Sequence, residues 1–375
     1  MAGLRRAGVI GGGFMAEVHA RAIRAAGHEV HGIASSSPES GRLAARRLGV
    51  PIAFDSAEAL IAADEIDVVH VCTPNALHFE QASAAIQHGK SVVCEKPLAI
   101  SEIDAEHLRR AADDAGAVTA VPFVYRYYPV VREIRERIRG GEAGELLLLH
   151  GSYLQDWLAN RADTNWRVSS DGGGPSRAFA DVGVHWCDLM EFITGHRIVR
   201  LSARLVTAHP HRGAPGDRVL NEDMSLLTFE TDGGAAGSLT VSQISQGRKN
   251  RLWFSFDGTE GSFEFNQETP DSFWIGGIDS SSTVTAGTGG MRSADARRLS
   301  MLPAGHPQGY QDAFKAFMSD AYSAMMGEEA FGLPDFSDGF RAAQLTAAVI
   351  RSSESQEWVV VPEFESASAN ERSVR

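Results

Sequence analysis

The sequence carries a lysine, an aspartate and a histidine whose types suit the transfer of a proton to or from a hydroxyl group. Lys96 follows Glu95 at the end of the apolar run 92–94. Asp181 and His185 are four residues apart, which places their side chains on the same face of a helix. A histidine near its ordinary pKa exchanges protons at neutral pH, and buried polar groups on a helix need a partner or a role. We therefore predict that Lys96, Asp181 and His185 are catalytic.

Two other interpretations of this polar helix face are open. The helix could be an ordinary capped one in which Asp188, three residues beyond His185, satisfies neighbouring backbone groups. It could also hold a metal ion, because aspartate and histidine are both metal ligands. No cysteine or second histidine stands nearby at ligand spacing, so we predict that no metal is bound.

A glycine-rich turn near the amino terminus indicates a dinucleotide site. Gly11, Gly13 and Ala16 follow a predicted strand and open a predicted helix. The first glycine permits a tight turn, the second lets the backbone approach a pyrophosphate, and the helix amino terminus faces the phosphates. If the run 92–94 is a parallel strand of the same sheet, its carboxyl end brings Lys96 beside the bound dinucleotide. The residues predicted to contact the cofactor are Gly11, Gly13, Phe14, Met15, Ser35, Ser36, Arg42, Thr73, Pro74, Asn75, His78, Glu95 and Lys96.

The end of the second predicted strand bears on the choice between NAD and NADP. NAD enzymes usually place a carboxylate there for the ribose hydroxyls, whereas this chain has serines at 35–37. Without a carboxylate, a 2′-phosphate is not repelled, and the serines with Arg42 or Arg46 would hold it. Alternatively, the serines only cap the helix that begins at Pro38. We favour NADP, with NAD as the alternative.

The pattern of apolar runs predicts an α/β fold with two different sheets. From residue 5 to about 122, short apolar runs alternate with helix-period segments, which is typical of a doubly wound parallel sheet. Residues 123–362 carry longer strands with period-2 patterning, which predicts a large, mostly antiparallel open sheet. We expect a dinucleotide-binding domain at 1–122, a substrate-binding and oligomerisation domain at 123–362, and a flexible tail at 363–375. A helix is predicted at 182–194 and a mobile loop at 276–295.

Composition narrows the class of partner. The net charge of -13 disfavours nucleic acids and anionic membranes, so small molecules are the expected ligands. Cys72, Cys94 and Cys187 are odd in number and lie within apolar or helical patterns, which predicts three free thiols in a reducing compartment. With no apolar run of membrane-spanning length, the prediction is a cytoplasmic protein.

The motifs together resemble a known enzyme family. The glycine turn, Glu95-Lys96-Pro97 and Asp181-x-Gly183-x-His185-x-x-Asp188, in this order, resemble the glucose-fructose oxidoreductase/inositol dehydrogenase/MocA (Gfo/Idh/MocA) family over residues 5 to about 360. The resemblance implies a Rossmann domain followed by an α/β domain whose open sheet forms homodimers or homotetramers. It also implies NAD(P)-dependent oxidation of a ring hydroxyl of a sugar or cyclitol, or reduction of the ketone. Lys96 would hydrogen-bond the reacting hydroxyl, His185 would be the general acid/base, and Asp181 would bind substrate and help place the proton.

A further segment resembles a subgroup of that family that acts on levoglucosan or related hexoses. Trp157 and Trp166 are able to stack on a sugar ring, and Asp156 and Arg167 are able to hydrogen-bond to its hydroxyls. Alternatively, the tryptophans only pack within the fold, which is their more common role. Residues 125–127 are expected to line the same cleft. The predicted substrate contacts are Lys96, Tyr125, Arg126, Asp156, Trp157, Trp166, Arg167, Asp181 and His185.

Three questions stay open from the sequence. Arg177, in a segment that departs from the family pattern, would face substrate or cofactor phosphate, or form a surface ion pair. The same catalytic set would also serve a glycosidase that oxidises a sugar transiently with bound NAD(P). A sugar-sensing regulator on the same fold is a third class, but a regulator needs no acid/base residues.

Overall fold

The computed structural model describes residues 3–213 and 218–363. Of the tail predicted to be flexible, only Glu363 is among them. Six parallel strands form the first sheet, in the order β3-β2-β1-β4-β5-β6. They are β1 (Arg6–Ile10), β2 (Glu29–Ala34), β3 (Ile52–Ala53), β4 (Val68–Val71), β5 (Ser91–Cys94) and β6 (Thr119–Ala120). The helices between them are α1 (Phe14–Ala25), α2 (Pro38–Leu48), α3 (Ala57–Ala62), α4 (His78–Gln87) and α5 (Glu102–Ala115). The predicted doubly wound sheet is confirmed, and the carboxyl ends of β1, β4 and β5 lie side by side.

Nine strands form the second sheet, and all neighbouring pairs are antiparallel except β7 and β10. In sheet order they are β14 (Ser281–Thr285), β13 (Ser272–Gly276), β12 (Ser262–Asn266), β11 (Arg251–Gly258), β7 (Leu146–Leu154), β10 (Ala236–Ser242), β9 (Met224–Thr231), β8 (Ile198–Val206) and β15 (Val359–Val360). The helices of this half are α6 (Pro129–Arg139), α7 (Ser170–Gly173), α8 (Val184–Thr194), α9 (Ala294–Leu299), α10 (Tyr310–Met325) and α11 (Phe336–Ser355). The predicted large, mostly antiparallel sheet is confirmed.

One face of the second sheet is covered and the other is open. Along β9, Leu227 and Phe229 are buried whereas Leu226 is 45% exposed, as the alternating pattern predicts. The covered face packs against α8 and α11. Trp186 of α8 is fully buried there, and its indole packs edge-on against Phe229 and Phe256. This contact fixes α8, and with it His185, on the sheet.

The start of α8 differs from the continuous α-helix predicted at 182–194. A π-helical turn, Phe179–Gly183, precedes α8, and the Val184 N–H donates to the Phe179 carbonyl oxygen. A Cβ at Gly183 would lie 2.5 Å from the Phe179 ring, so only glycine allows this turn to close. Hydrophobic periodicity does not distinguish a single π turn from α-helix, which is why the sequence pattern missed it.

Two shorter segments also refine the prediction. The loop predicted at 276–295 is partly wrong, because β14 lies within it and pairs with β13. The short strand β3 carries too few residues for a recognisable pattern. Helix α5 begins with a serine cap, since the Ser101 hydroxyl accepts from the Asp104 N–H. Within the described ranges, no helix combines the length and apolarity needed to cross a membrane.

Candidate active site

A cavity of about 1150 Å³ lies where the carboxyl edge of the first sheet faces the second half of the chain. Its walls contain most of the residues predicted from sequence for cofactor, catalysis and substrate. These are Gly11, Gly13, Phe14, Met15, Ser35, Ser36, Thr73, Pro74, Asn75, His78, Glu95, Lys96, Tyr125, Trp157, Trp166, Arg167, Asp181 and His185. One continuous cavity therefore joins the glycine turn to the lysine, aspartate and histidine.

The glycine turn has the geometry that a bound pyrophosphate needs. Gly11 has φ 124°, and a Cβ there would lie 2.5 Å from the Cys72 carbonyl oxygen. At Gly13, by contrast, a Cβ would meet no atom within 4 Å, so this side of the turn is open. Helix α1 begins directly after it without a side-chain cap, which leaves its first N–H groups available for an anion. The residues present thus fit a dinucleotide.

Lys96 and Asp181 form the centre of the site. The Lys96 ammonium donates to Asp181 Oδ1 at 2.8 Å and to the Asp181 carbonyl oxygen at 2.7 Å. The Arg167 Nε also lies 3.4 Å from Oδ1, and the Gln243 amide donates to Oδ2 at 2.8 Å. Burial opposes a charge on Asp181, but Lys96 and Arg167 together hold its pKa well below the ordinary value. The aspartate is therefore a permanent anion that orients the lysine.

His185 stands beside this pair in an aromatic frame. Its ring packs edge-on against Phe123 and Tyr125, with centroid separations of 5.6 and 5.1 Å. Burial, and then the charge of Lys96, lower the pKa of His185 well below its ordinary value. The Nδ1 atom is buried and has no hydrogen-bond partner. The His185 side chain lines the cavity, and a neutral imidazole carries an unprotonated ring nitrogen that is suited to accept a proton.

A polar network that the sequence did not reveal lines the wall opposite the glycine turn. Asn250 accepts hydrogen bonds from Tyr153 and Gln155, each at 2.8 Å, and donates to Tyr125 at 3.1 Å. The Gln155 amide oxygen in turn accepts from the Trp157 indole N–H at 2.9 Å. Tyr153, Gln155 and Trp157 alternate along the end of β7 and the residues after it, whereas Asn250 precedes β11 and Gln243 follows β10. No spacing in the sequence marks Asn250 or Gln243 as neighbours of the site.

The predicted contacts at Trp166 and Arg167 are adjacent in the cavity wall. The Arg167 guanidinium carbon lies 4.2 Å from the centre of the Trp166 ring, and Trp166 is 36% exposed. Asn165 caps the short turn that carries both, since its side chain accepts from the Arg167 N–H. The arrangement presents a ring face and a cation to the cavity.

Three predicted contacts do not line the cavity. Arg126 is buried between Asp188 and Asp338, so its charge is used within the fold and the prediction of substrate binding is wrong. Asp156 is bound by the Lys249 ammonium at 2.6 Å, and Lys249 lines the cavity in its place. Arg42 extends towards Asp55 on the surface, 4.0 Å away.

The arginine that does approach the glycine turn is Arg47. Its guanidinium donates to the Gly12 carbonyl oxygen at 2.6 Å. Gly12 is next to Ser35, because a Cβ on Gly12 would lie 2.9 Å from the Ser35 hydroxyl. Ser37 caps α2 by accepting from the Ser40 N–H, so the capping interpretation holds for that serine. Arg47 belongs to α2, the same helix as Arg42 and Arg46.

Arg177 takes neither of the positions considered from the sequence. It is only 2% exposed, and its guanidinium binds Asp223, which also accepts from Arg212 at 2.7 Å. The neighbouring Glu222 accepts from the N–H groups of Arg177 and Phe179 at the start of the π turn. Arg177 is therefore part of a buried ionic cluster behind the site, which holds the turn that carries Asp181.

Two other predicted cofactor contacts bond to backbone carbonyl groups. Asn75 donates to the Gly173 carbonyl oxygen of the second half at 3.1 Å, and His78 Nδ1 lies 2.7 Å from the Pro97 carbonyl oxygen within the first half. Among residues 3–213 and 218–363, no group of three or more histidine, cysteine, aspartate or glutamate side chains is arranged to hold a metal ion. Cys72, Cys94 and Cys187 are all described, and all are free thiols.

Comparison with known proteins adds an independent finding. Residues 5–123 match the family model described as an oxidoreductase family with an NAD-binding Rossmann fold (GFO_IDH_MocA), and residues 131–264 match the GFO/IDH/MocA C-terminal domain. The chain is 30% identical to levoglucosan dehydrogenase of Pseudarthrobacter phenanthrenivorans, with 95% of this chain and 98% of that protein aligned.

Solved structures agree with this match. A structure of levoglucosan dehydrogenase in complex with NADH and levoglucosan has a TM-score of 0.89 at 30% identity, covering 96% of this chain and 100% of the other. An inositol dehydrogenase homologue from Azotobacter vinelandii, complexed with NAD⁺, has a TM-score of 0.87 at 26% identity, covering 96% and 98%. The similarity therefore extends across both halves of the chain.

Proposed function

The chain belongs to the Gfo/Idh/MocA oxidoreductase family, and from this premise we propose that it is an NAD(P)-dependent dehydrogenase or reductase of a monosaccharide, anhydrosugar or cyclitol. The reacting group would be a ring hydroxyl or the corresponding ketone. The observation that carries the proposal is the shared cavity, in which Lys96 and His185 stand beside an open glycine turn.

The proposed chemistry divides the work between cofactor and side chains. A bound nicotinamide dinucleotide supplies the acceptor or donor of the hydride. The Lys96 ammonium, held by Asp181 at 2.8 Å, has donors to spare for the reacting oxygen. The neutral imidazole of His185 removes the hydroxyl proton during oxidation and returns it during reduction. Asp181 stays ionised and fixes the lysine rather than exchanging the proton itself.

The charges in the wall favour an uncharged, hydroxyl-rich substrate. Lys96 and Arg167 share Asp181, and Lys249 is bound by Asp156, so each of these three cations that line the described cavity already has a carboxylate partner. Trp157 and Trp166 add ring surface. Aromatic faces beside amide and hydroxyl groups are typical of sites that bind sugar rings.

The experiment that tests the proposal is a panel of neutral sugars, anhydrosugars and cyclitols, each offered with NAD⁺ and with NADP⁺. The proposal expects a rise in absorbance at 340 nm with at least one of them. Release of an aglycone from glycosides without net cofactor reduction would indicate the glycosidase instead. Ligand binding with neither reaction would indicate a sensing regulator.

For the cofactor we propose a preference for NADP. Supporting it are the serines at 35 and 36 in place of a carboxylate, and the Arg47 guanidinium beside the same turn. The relatives with NADH or NAD⁺ bound make NAD the alternative. Ser35→Asp should shift the ratio of kcat/KM values towards NAD⁺, and Arg47→Met should weaken NADP⁺ selectively. Arg24→Met, which removes another arginine bound to a glycine carbonyl, is the matched control. An unchanged ratio in both variants would show that the 2′ position is recognised elsewhere.

A further inference from the structure

A line of buried polar side chains runs from the cavity wall through the first sheet to the second half of the chain. His19 Nε2 lies 3.0 Å from Glu95 Oε1, and His19 Nδ1 lies 3.0 Å from His70 Nδ1. His70 Nε2 lies 2.9 Å from the Tyr322 hydroxyl. The side chains of His19, His70 and Tyr322 are each 0% exposed. We refer to these three residues as the buried relay.

The contacts fix the direction in which the buried relay donates. A carboxylate only accepts, so His19 must carry a proton on Nε2 to bond with Glu95. With His19 neutral, its Nδ1 is an acceptor, and His70 must therefore carry its proton on Nδ1. That leaves His70 Nε2 to accept from the Tyr322 hydroxyl. Every hydrogen bond then points towards Glu95, and such aligned bonds reinforce one another.

Glu95 connects the buried relay to the catalytic lysine. Burial disfavours its charge, but the hydrogen bond from His19 and the charge of Lys96 keep the pKa of Glu95 below its ordinary value. Its second oxygen, Oε2, accepts from the backbone N–H of Lys96 at 3.2 Å. The carboxylate is thus held on one side by the relay and itself holds the turn from which the lysine extends.

We propose that His19 is a positioning residue for the reaction: with His70 and Tyr322 it fixes the Glu95 carboxylate, which in turn sets the Lys96 ammonium against Asp181 and the reacting hydroxyl. The inference rests on the proposed function, since positioning matters only if Lys96 serves a reaction. His19 itself is not in the cavity wall, and it touches neither Lys96 Nζ nor Asp181 in the hydrogen bonds observed.

The buried relay also makes the site sensitive to how the two halves pack. Tyr322 belongs to α10, from the second half, whereas His19 and His70 lie on α1 and β4. Phe314 of the same helix packs against the His19 ring at a centroid distance of 5.3 Å. The packing of α10 on α1 therefore affects the position of the catalytic lysine through hydrogen bonds rather than through the cavity.

Two substitutions of His19 separate positioning from packing. His19→Gln places its amide nitrogen near the position of Nε2, which keeps a donor to Glu95 and loses the contact with His70. His19→Asn places its amide near Nδ1, which keeps the contact with His70 and removes the donor to Glu95. Both keep a polar group in the core and lose one hydrogen bond, so a purely structural role predicts similar losses of thermal stability and activity.

Positioning predicts unequal kinetics in the two variants. His19→Asn should lower kcat for the sugar found in the panel by about 10-fold or more, because a displaced lysine misaligns the reacting groups. His19→Gln should stay within about 5-fold of wild type, since one neutral hydrogen bond contributes roughly 1 kcal/mol. The Kd of the dinucleotide, from fluorescence quenching, should change little in either. Equal kcat values in the two variants, or a loss confined to dinucleotide binding, would overturn the proposal.

A second matched pair of variants tests the Tyr322 end of the buried relay. Tyr322→Phe removes only the hydroxyl that donates to His70, and should lower kcat by about 5-fold, as expected for one net hydrogen bond. Tyr127→Phe removes another buried hydroxyl, one that has no hydrogen-bond partner, and should leave kcat at the wild-type value. Equal kcat in these two variants would also contradict the proposal.

A spectroscopic measurement keeps this inference separate from the proposed function. Long-range ¹H–¹⁵N spectra of protein labelled at histidine nitrogens report which nitrogen carries the proton. The relay predicts His70 protonated on Nδ1 and His19 on Nε2, with the His70 signals altered by Tyr322→Phe. If the wild type turns over no sugar, the proposed function fails, but the observed tautomers still show whether the hydrogen bonds of the relay run in the proposed direction. A proton on His70 Nε2 would overturn the relay even in an active enzyme.

Discussion

At the scale of single residues, the proposed site has two kinds of group. Asp181 keeps a charge, whereas Lys96 and His185 are proposed to contact the substrate oxygen. Both oxygens of Asp181 have partners, Oδ1 in Lys96 and Arg167 and Oδ2 in Gln243, and the two cations keep its pKa low. His185 has a pKa that burial and the charge of Lys96 lower well below the ordinary value. These opposite environments favour the histidine as the base, which is the role that the family resemblance implies for it.

Replacing either proton-handling residue should abolish most turnover without loss of cofactor binding. Lys96→Met and His185→Asn should each lower kcat by about 10² or more, the usual effect of losing a positioned acid or base. Initial rates at 340 nm and dinucleotide Kd values measure the two properties. Lys315→Met, on an exposed helix face, is the control. Near-wild-type kcat in both site variants would refute the assignment.

The low pKa of His185 has a consequence for the pH profile. A lowered pKa keeps the imidazole neutral, and therefore basic, at pH values where an exposed histidine is already protonated. We expect kcat/KM for oxidation to hold from pH 8 to 6.5 and to fall only below that range. The unfolded chain takes up this proton near its ordinary pKa of about 6.5, so stability also declines as the pH drops below it. A half-maximal rate at or above pH 6.5 would contradict this account.

The sequence predicted the residues that belong to motifs and missed those that depend on tertiary contacts. Lys96, Asp181 and His185 stand out because their types and local spacing are unusual. Gln243 and Asn250 are isolated polar residues: Gln243 reaches Asp181, and Asn250 reaches the cavity, only when β10 and β11 lie beside β7. Arg126 was misassigned because its partner Asp338 is far away in the chain.

At the scale of elements, the π turn before α8 depends on a buried ionic cluster. Glu222 accepts from backbone N–H groups at the start of the turn, and the adjacent Asp223 binds both Arg177 and Arg212. Buried ions are costly unless all partners are present. The cluster therefore links the position of Asp181 to the stability of the second half.

Removing one member of that cluster should destabilise the fold strongly. Arg177→Leu leaves Asp223 and Glu222 with an uncompensated buried charge, and should cost about 3 kcal/mol of unfolding free energy. Urea denaturation measures it. Arg139→Leu is the control, because that arginine pairs with Glu136 at 3.9 Å on the surface and should change stability by less than about 1 kcal/mol. Similar midpoints for the two variants would show that the cluster is not coupled to the fold.

Elements with several turns or strand residues were predictable, and short or unusual ones were not. The parallel strands follow from alternating apolar runs and helical periods, and their order follows from the doubly wound pattern. The two-residue strand β3 and the π turn lack a period of their own. The β13–β14 hairpin is rich in glycine and serine, and its strand pairing outweighs that loop-like composition.

At the scale of the whole molecule, the second sheet leaves one broad face uncovered. Its outward residues include Leu148 and Leu226, which are 42% and 45% exposed. An apolar patch on an open sheet marks an interaction surface. We propose that this face joins two or four copies of the chain, which is what the family resemblance implies.

A charge placed on that face should dissociate the assembly. The double variant Leu148→Lys with Leu226→Lys should lower the molar mass, measured by light scattering after gel filtration, towards that of one chain. Buried lysines facing each other across a two-fold interface would repel and lose hydration. Ile103→Lys, on the other half at 66% exposure, should leave the mass unchanged. An unchanged mass in the double variant would place the interface elsewhere.

The central claim is that an ammonium from the first half and an imidazole from the second act on one hydroxyl beside the dinucleotide. The most direct measurement is a crystal structure of the protein with dinucleotide and the sugar identified by the panel. We predict one sugar oxygen within about 3.2 Å of both Lys96 Nζ and a His185 ring nitrogen. A complex in which the two side chains contact different oxygens, or in which the sugar binds outside this cavity, would contradict the account.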